Sequence, residues 1–552
     1  MRELSELDSY FGPRRAETPL GIVVGGSLSA GLLVKLDPHY ALEKLAVGRY
    51  IVIHGKQTGR RFFGLVTDLA LDSTHPDLAR RPPDASDDFV AEVYSGQVAF
   101  GTMHVTPMLM MDEGSGEPRP IKTIPAHFSP VYEASPTDVE RVFGAEDASH
   151  FFVGTPLDME GVQVNLDLDR FVERSSGVFG KSGTGKSFIT RTLLAGIVKA
   201  GRASTLIFDM HNDYGWSVKD EAGREYKGLR QLFTDGRVSV VTLDEETSRA
   251  RGSKIDRVLR IGYDQIEPED VEMLAGLLGL SDVQVNALHW LRRRLGRSWI
   301  AKLLKEEPDE ELDGLLEDER IIKGTLHAIQ RKFEFFRRMG FLIPGEGDDA
   351  VDDIFNRLSR GISVVLEFGT YGNTLAAYVL VANYLTRRIH QRYVRQKNLA
   401  AGHKADEPRP LVIVIEEAHK FLDPQIANYT IFGTIARELR KYNVTLLIVD
   451  QRPSGIDDEV MSQIGTRVSC LLDNEADIRA VFSGVSGAST LREVLARLDT
   501  RQQALILGHA VPMPVVVRTR DYDQAFYQAL GLAEGEALKK KARAASEALF
   551  GE

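Results

Sequence analysis

The spacing of apolar residues changes character along the chain. Over the first 145 or so residues, short apolar runs recur between turn-forming residues: Gly21-Ile-Val-Val24, Leu32-Leu-Val-Lys-Leu36, Tyr50-Ile-Val-Ile53, Phe62-Phe-Gly-Leu-Val-Thr67 and Phe89-Val-Ala-Glu-Val-Tyr94. Runs this short, punctuated by Gly and Pro at intervals of roughly 10 to 20 residues, predict the strands of a small β-barrel or sandwich. The stretches from His75 to Asp88 and from Met111 to Pro120 read as exposed loops. No catalytic constellation occurs here, so the region is expected to serve assembly or docking, with a nucleic-acid-binding barrel as the alternative. Ser135-Pro-Thr-Asp138 then opens a short helix ending near Gly144, a junction between domains.

Beyond the junction, apolar strands alternate with helical stripes. Strands are predicted at Phe151–Thr155, Val162–Leu166, Gly177–Gly180, Thr205–Phe208 and Val238–Leu243, with a buried helix from Phe188 to Val198. From about Asp256 to Gly340 the period becomes helical throughout. Leu288, Leu291 and Leu295 share one helical face, and Leu326, Ile329, Phe333 and Phe336 another. Arg292-Arg-Arg294 and Arg337-Arg338 decorate these helices and read as solvated faces, with contact to DNA as the alternative. Strands resume at Ile362–Leu366, Leu411–Ile415, Thr445–Val449, Arg467–Leu472, Ala504–Gly508 and Pro514–Arg518. A helix with the stripe Leu375, Val379, Ala382, Leu385 and Ile389 precedes a basic, polar run, His390 to Pro410, expected to be a loop or frayed helix end. The expected fold class is therefore α/β: a small β-barrel over 1–145, an α/β domain over 146–525 with a helical insertion at about 256–345, and a helical tail over 526–552.

Composition narrows the picture in a few places. With 552 residues the chain exceeds one ordinary core, and 43% hydrophobic and 27% charged residues describe a globular protein. A net charge of −11 argues against a protein that coats nucleic acid with its whole surface, but leaves room for a local basic channel. No apolar run reaches the ~18 residues of a membrane helix, and the start, Met1-Arg-Glu-Leu-Ser5, lacks the apolar core of a signal peptide. The single cysteine, Cys470, cannot form an internal disulfide, so no membrane and a cytoplasmic location are expected.

The chemistry is concentrated where strands end. Gly180-Lys181-Ser182-Gly183-Thr184-Gly185-Lys186-Ser187 follows a strand, opens a helix and fits the phosphate-loop pattern at every constrained position. Glycines let successive N–H groups point at one anion, Lys186 supplies a cation for the β- and γ-phosphates, and the Ser187 hydroxyl can ligate Mg²⁺. The strand Thr205–Phe208 ends in Asp209-Met-His-Asn-Asp213-Tyr214, where His211 and Asp213 are candidates for positioning water or sensing phosphate, or else form an Asx-stabilised turn. The five apolar residues Leu411–Ile415 end in Glu416 and Glu417. In a nucleoside triphosphatase the first can hold Mg²⁺ and the second can orient and polarise the attacking water. Gln451, at the end of the next strand, can hydrogen-bond the γ-phosphate and report its loss.

Taken as an ordered set, five segments resemble the HerA–FtsK superfamily of ATPases, and HerA within it: Gly180–Ser187, Asp209–Tyr214, Ile415-Glu-Glu-Ala-His-Lys420, Ala436-Arg-Glu-Leu-Arg-Lys-Tyr442 and Asp450-Gln-Arg-Pro453. The resemblance spans about 150 to 520, and the amino-terminal region is similar in character to the small barrel such proteins carry. It implies a RecA-like core, a homo-hexamer round a central channel, ATP and Mg²⁺ bound between neighbours, and double-stranded DNA as the substrate of translocation. It also implies an arginine finger, for which Arg437, Arg440 and Arg174 are the candidates, and a NurA-like nuclease or other effector in DNA end processing or antiviral defence. Leu439 stands where a glycine is common in the family, and Asp450 where a serine is. A nucleotide-gated ring that organises an effector with little DNA movement is the alternative. The chain carries no recognisable nuclease motif, no L-S-G-G-Q signature of ABC transporters and no N-K-x-D of GTPases.

Overall fold

A computed structural model describes residues 18–531, apart from 79–85, 87–93, 95–97, 113–117, 158, 160, 220–222, 306–321, 401, 404–406, 428–429, 486–487 and 500–501. The chain divides into two compact units: residues 1–166 with 469–473 and 484–519, and residues 167–468 with 474–483 and 520–552. The expected strand at Phe89–Tyr94 lies outside the described residues apart from Tyr94, and the tail beyond Gly531 lies outside them entirely.

The first unit contains a closed six-stranded antiparallel barrel. Its strands are β1 (Gly21–Ser27), β2 (Gly31–Leu36), β3 (Tyr50–His54), β4 (Arg61–Ser73), β5 (Ala99–Met111) and β6 (Pro130–Glu133). They run in the order β2-β1-β6-β3-β4-β5, and pairing of β2 with β5 closes the ring. Val23, Val34, Ile51, Ile53, Val66, Met103, Val105 and Val131 fill its interior. Two irregularities, at Phe63/Gly64 and Val66/Asp68, bend the long β4–β5 pair. Gly64 sits at the first, where a Cβ would come within 2.9 Å of the Thr106 carbonyl oxygen. Strand β5 is not apparent in the sequence because Thr, His and Pro107 interrupt its apolar run, yet Met103, Val105, Leu109 and Met111 alternate inward. The helix Pro136–Phe143 forms as expected, with Ser135 and Asp138 making a capping box. In the same unit Val515–Thr519 pairs antiparallel with Gln503–Gly508 and with His150–Pro156.

The second unit is built on a parallel sheet: β7 (Ser176–Phe179), β8 (Ser204–Asp209), β9 (Val238–Thr242), β10 (Arg257–Val258), β11 (Ser363–Glu367), β12 (Leu411–Glu416) and β13 (Val444–Asp450). The order is β10-β9-β11-β8-β12-β13-β7. Every residue of β8, β12 and β13 is buried, which is why these strands read as continuous apolar runs instead of alternating ones. Register places Asp209 beside Glu367, Phe208 beside Ile415, Glu416 beside Val449, and Asp450 beside Phe179. The polar residues that end the strands therefore form one row along the carboxyl edge.

The longer helices of this unit include α1 (Lys186–Ala200), α2 (Asp282–Leu295), α3 (Lys323–Arg338) and α4 (Leu375–Ala400). Helices α2 and α3 belong to the expected helical insertion, and the stripes read from sequence are its core, with Leu288, Leu291, Leu326, Ile329, Phe333 and Phe336 buried. The insertion is tied to α4 by Asp270, fully buried, whose carboxylate takes Arg387 at 3.0 Å and Arg388 at 2.9 Å. Helix α4 corrects one expectation. It continues through 390–400, because His390, Tyr393 and Ala400 extend its buried face while the polar residues among them lie on the other side. No helix among the described residues is long and apolar enough to cross a membrane.

Candidate active site

The phosphate loop leaves the end of β7, where the Gly180 N–H donates to the Asp450 carbonyl at 3.3 Å. Gly183 and Gly185 have φ of 80° and 95°, a region that residues with a Cβ rarely enter. At Gly183 nothing lies within 4 Å of where a Cβ would stand, so conformation and not crowding demands glycine there. The Thr184 hydroxyl donates to the Lys181 carbonyl at 2.7 Å and closes the turn. Gly185 caps α1, and the first N–H groups of that helix have no intrahelical acceptor. Ile189, Leu193, Leu194 and Ile197 bury the helix, which fixes the direction in which those donors point. Lys186 and Ser187 occupy its first two positions, half-buried, and Lys181 and Ser182 are exposed on the loop.

Across the edge lies a buried acidic pair of which the sequence singled out only one member, Glu416. Asp209 ends β8 and is completely buried. Its carboxylate accepts the N–H groups of Asp213 at 2.6 Å, Tyr214 at 2.8 Å and Gly215 at 3.1 Å, so it folds the following loop about itself. Burial, then the nearby charges of Glu367 and Asp213, push it up to about 7. The Tyr214 hydroxyl, brought round by that loop, donates to Glu416 Oε1 at 2.8 Å. Glu416 Oε2 is buried and has no hydrogen-bond partner. Burial and the Asp209 charge push Glu416 up to about 8, against the hydrogen bond from Tyr214 and the charge of Lys186, which lower it. The Tyr378 hydroxyl receives the Glu416 N–H at 3.1 Å and donates to its carbonyl at 3.0 Å, which fixes the backbone at the end of β12.

Glu417 follows with φ of 49°, in the left-handed region. Because β13 lies between β7 and β12, Gln451 stands between the phosphate loop and the acids, and its Nε2 donates to Glu417 Oε1 at 3.2 Å. Beside them the ring of His419 is held by Asp450, with Nδ1 3.0 Å from Oδ2. Asp450 is fully buried; burial raises it, but the hydrogen bond and charge of His419 and the Arg452 N–H together hold it below the usual carboxylate range.

Not every expected residue converges. Asp213 is half-buried and faces Arg191, whose guanidinium lies 3.8 Å from its carboxylate and whose Nε donates to its carbonyl at 3.0 Å. His211 is exposed. Arg437 turns to its own surroundings, with Nε donating to Glu459 at 3.1 Å. Arg440 lies in the short 3-10 turn Leu439–Tyr442, and its side chain is outside the described residues. Arg174 follows a short helix and packs beside Gly465. Sequence reasoning missed Asp209, Tyr214, His419, Asp450 and Arg191 as working side chains. The first four stand at or just after strand ends in the motif segments, and that position was the available signal.

A nucleoside triphosphate with Mg²⁺ fits these residues. The loop offers helix-start N–H donors and Lys186 to the phosphates. Ser187 and Glu416 carry hard oxygen atoms of the kind that Mg²⁺ takes, usually alongside waters. The orphaned Oε2 of Glu416 is an unused acceptor in a buried place, a feature that native interiors rarely tolerate without a use.

A family model described as the central domain of the helicase HerA matches residues 151–389. A DNA double-strand break repair helicase HerA of Pyrococcus furiosus is 25% identical over 425 residues, covering 71% of this chain and 73% of that protein. A probable DNA double-strand break repair helicase HerA of Methanocaldococcus jannaschii is 30% identical over 413 residues, covering 68% and 77%. Among solved structures, VirB4 of Thermoanaerobacter pseudethanolicus aligns over 69% of this chain and 99% of its own, at 14% identity and a TM-score of 0.43.

Proposed function

Since the chain belongs to the HerA family, we propose that it is an ATP-driven motor that translocates along double-stranded DNA as a homo-hexamer, in company with a nuclease or other effector. The protein is an ATP hydrolase of the P-loop class. The observation that carries the reading is the row of strand ends: phosphate loop, Gln451, Glu416 with Glu417, and Asp209 with Tyr214 stand side by side on one sheet edge. Its relatives are named for DNA double-strand break repair, which supports duplex DNA as the substrate.

In this reading Gly180–Ser187 hold the phosphates, and Glu416 with Ser187 hold Mg²⁺, which supplies charge neutralisation at the β- and γ-oxygens when bound. Tyr214 orients Glu416 through Oε1 and leaves Oε2 for the metal or its waters. Glu417 orients and deprotonates the attacking water, and Gln451 couples that carboxylate to the occupancy of the γ-phosphate position. An arginine from a neighbouring subunit, among Arg174, Arg437 and Arg440, stabilises the charge that develops on the γ-phosphoryl oxygens.

The test is ATP hydrolysis by material of known oligomeric state, with and without linear duplex DNA, and with Glu417→Gln as the control. Stimulation by duplex that Glu417→Gln abolishes supports the motor. Hydrolysis indifferent to duplex DNA at every length tested argues against it.

A further inference from the structure

Glu417 adopts a backbone conformation, φ of 49°, that residues with a Cβ seldom enter. Strain of this kind persists only where the surroundings over-determine the geometry. Two of the constraints are plain: Gln451 holds one carboxylate oxygen at 3.2 Å, and the Glu417 carbonyl accepts the Lys420 N–H at 2.8 Å. The third neighbour is the His419 ring, whose Nε2 faces Glu417 Oε2 at 3.7 Å.

The orientation of that ring is set by Asp450. The Asp450 carboxylate takes the His419 N–H at 2.8 Å and the Arg452 N–H at 2.6 Å, and its two oxygens lie 3.0 and 3.1 Å from His419 Nδ1. An ionised carboxylate only accepts, so Nδ1 carries the proton and donates. With Nδ1 committed to Asp450, Nε2 is the ring nitrogen left facing the Glu417 carboxylate oxygen. At 3.7 Å the two atoms are neighbours but beyond hydrogen-bond distance.

We propose that His419, aimed by Asp450, is a positioning and proton-relay residue for hydrolysis, holding Glu417 opposite Gln451 and accepting the proton Glu417 takes from the attacking water. One O–H bond of the water breaks as its oxygen bonds to the γ-phosphorus, the bond from that phosphorus to the β,γ-bridging oxygen breaks with the nucleoside diphosphate as leaving group, and an O–H bond forms on Glu417. That proton then passes to Nε2, leaving Glu417 ionised for the next turnover and the imidazolium paired with Asp450. The partly exposed ring returns the proton to solvent. The inference rests on the role given to Glu417 under the proposed function.

The discriminating variant is His419→Asn, whose amide nitrogen can occupy the place of Nδ1 and keep the bond to Asp450 while nothing stands at Nε2. The expected result is an unchanged melting temperature, an unchanged affinity for Mg²⁺ and ATP measured with a fluorescent nucleotide, and a single-turnover hydrolysis rate lower by about 10²-fold, the scale of a displaced reacting group. Should that variant not fold, His419→Gln places an amide near Nε2 that cannot take up a proton, and the same loss of rate is expected. A hydrolysis rate within threefold of the parent in the folded variant, or a loss of rate matched by an equal loss of binding, overturns the proposal. Glu417→Gln run in parallel separates the two failures. If it too keeps its rate, the assignment of Glu417 is wrong; if it alone loses rate, only His419 has been misread.

Discussion

Replacing Tyr214 by Phe removes one oxygen atom from the buried edge of the sheet and little else. The ring of Tyr214 is fully buried, so Phe keeps its packing, and the change in stability should stay near the ~1 kcal/mol of a neutral hydrogen bond. Its effect on the metal site should be larger. The Tyr214 hydroxyl holds Glu416 Oε1 at 2.8 Å, and Oε2 has no partner at all, so the variant leaves both oxygens of a buried carboxyl group unpaired. Glu416 is already pushed up to about 8 by burial and by Asp209, and the Tyr214 hydrogen bond is the first influence opposing that rise. Losing it moves Glu416 further up, and the ionised form that Mg²⁺ requires becomes rarer at neutral pH. A hydrogen bond to a charged group is worth about 1.5–3 kcal/mol, which corresponds to a roughly 10- to 150-fold loss of Mg²⁺-dependent affinity. Titration of a fluorescent ATP analogue with and without Mg²⁺, beside a thermal melt, reads both quantities. The parent affinity should strengthen from pH 6 to pH 8, and the Tyr214→Phe curve should lie to higher pH. Equal Mg²⁺-dependent affinity in parent and variant would refute the view that Tyr214 prepares Glu416 for a metal.

Glu417→Gln should retain ATP while hydrolysis falls ~10²–10⁴-fold, whereas Glu416→Gln should weaken Mg²⁺-dependent binding; interchangeable phenotypes in binding and phosphate-release assays would contradict the division of roles. Asp209 and Glu416 are both raised in the folded protein, to about 7 and about 8, so the folded state holds protons that the unfolded state has released. Their contribution to stability is therefore present at low pH and lost as pH rises from about 4 through 8, by at most ~1.4 kcal/mol per pH unit per group. Denaturant unfolding without Mg²⁺ should show this fall, and Glu416→Gln should flatten it. Substituting the trans-acting arginine among Arg174, Arg437 and Arg440 should spare nucleotide binding and assembly but stop hydrolysis by ~10³–10⁵-fold. Mixing that variant with Lys186→Ala should restore partial activity, and no recovery in rings shown to have mixed would argue against shared sites.

The sheet edge was legible in the sequence because parallel strands buried on both faces leave long apolar runs, and a run such as Leu411–Ile415 points to the acids that succeed it. The phosphate loop was legible for a different reason, since its glycines answer to backbone conformation at positions fixed relative to Lys186. Pairing across the sheet was not legible. That Tyr214 reaches Glu416, or that Asp450 clasps His419, depends on which strand lies beside which, and local spacing carries no such information. Asp209 is less conspicuous than Asp213 because a buried carboxylate serving three backbone N–H groups looks, in sequence, like any turn residue. Strand β5 and the last turns of α4 were hidden where polar residues on an exposed face diluted the apolar stripe.

If ATP hydrolysis at this edge moves the protein along duplex DNA, that movement can be measured directly. Displacement of a third strand from a triplex placed on a linear duplex reports it without requiring the duplex to unwind or any nuclease to act. The motor should give displacement that needs ATP and Mg²⁺, is delayed in proportion to the length of duplex crossed, and is lost with Glu417→Gln. Brisk ATP hydrolysis in the same tube with the triplex left intact at every duplex length would contradict it.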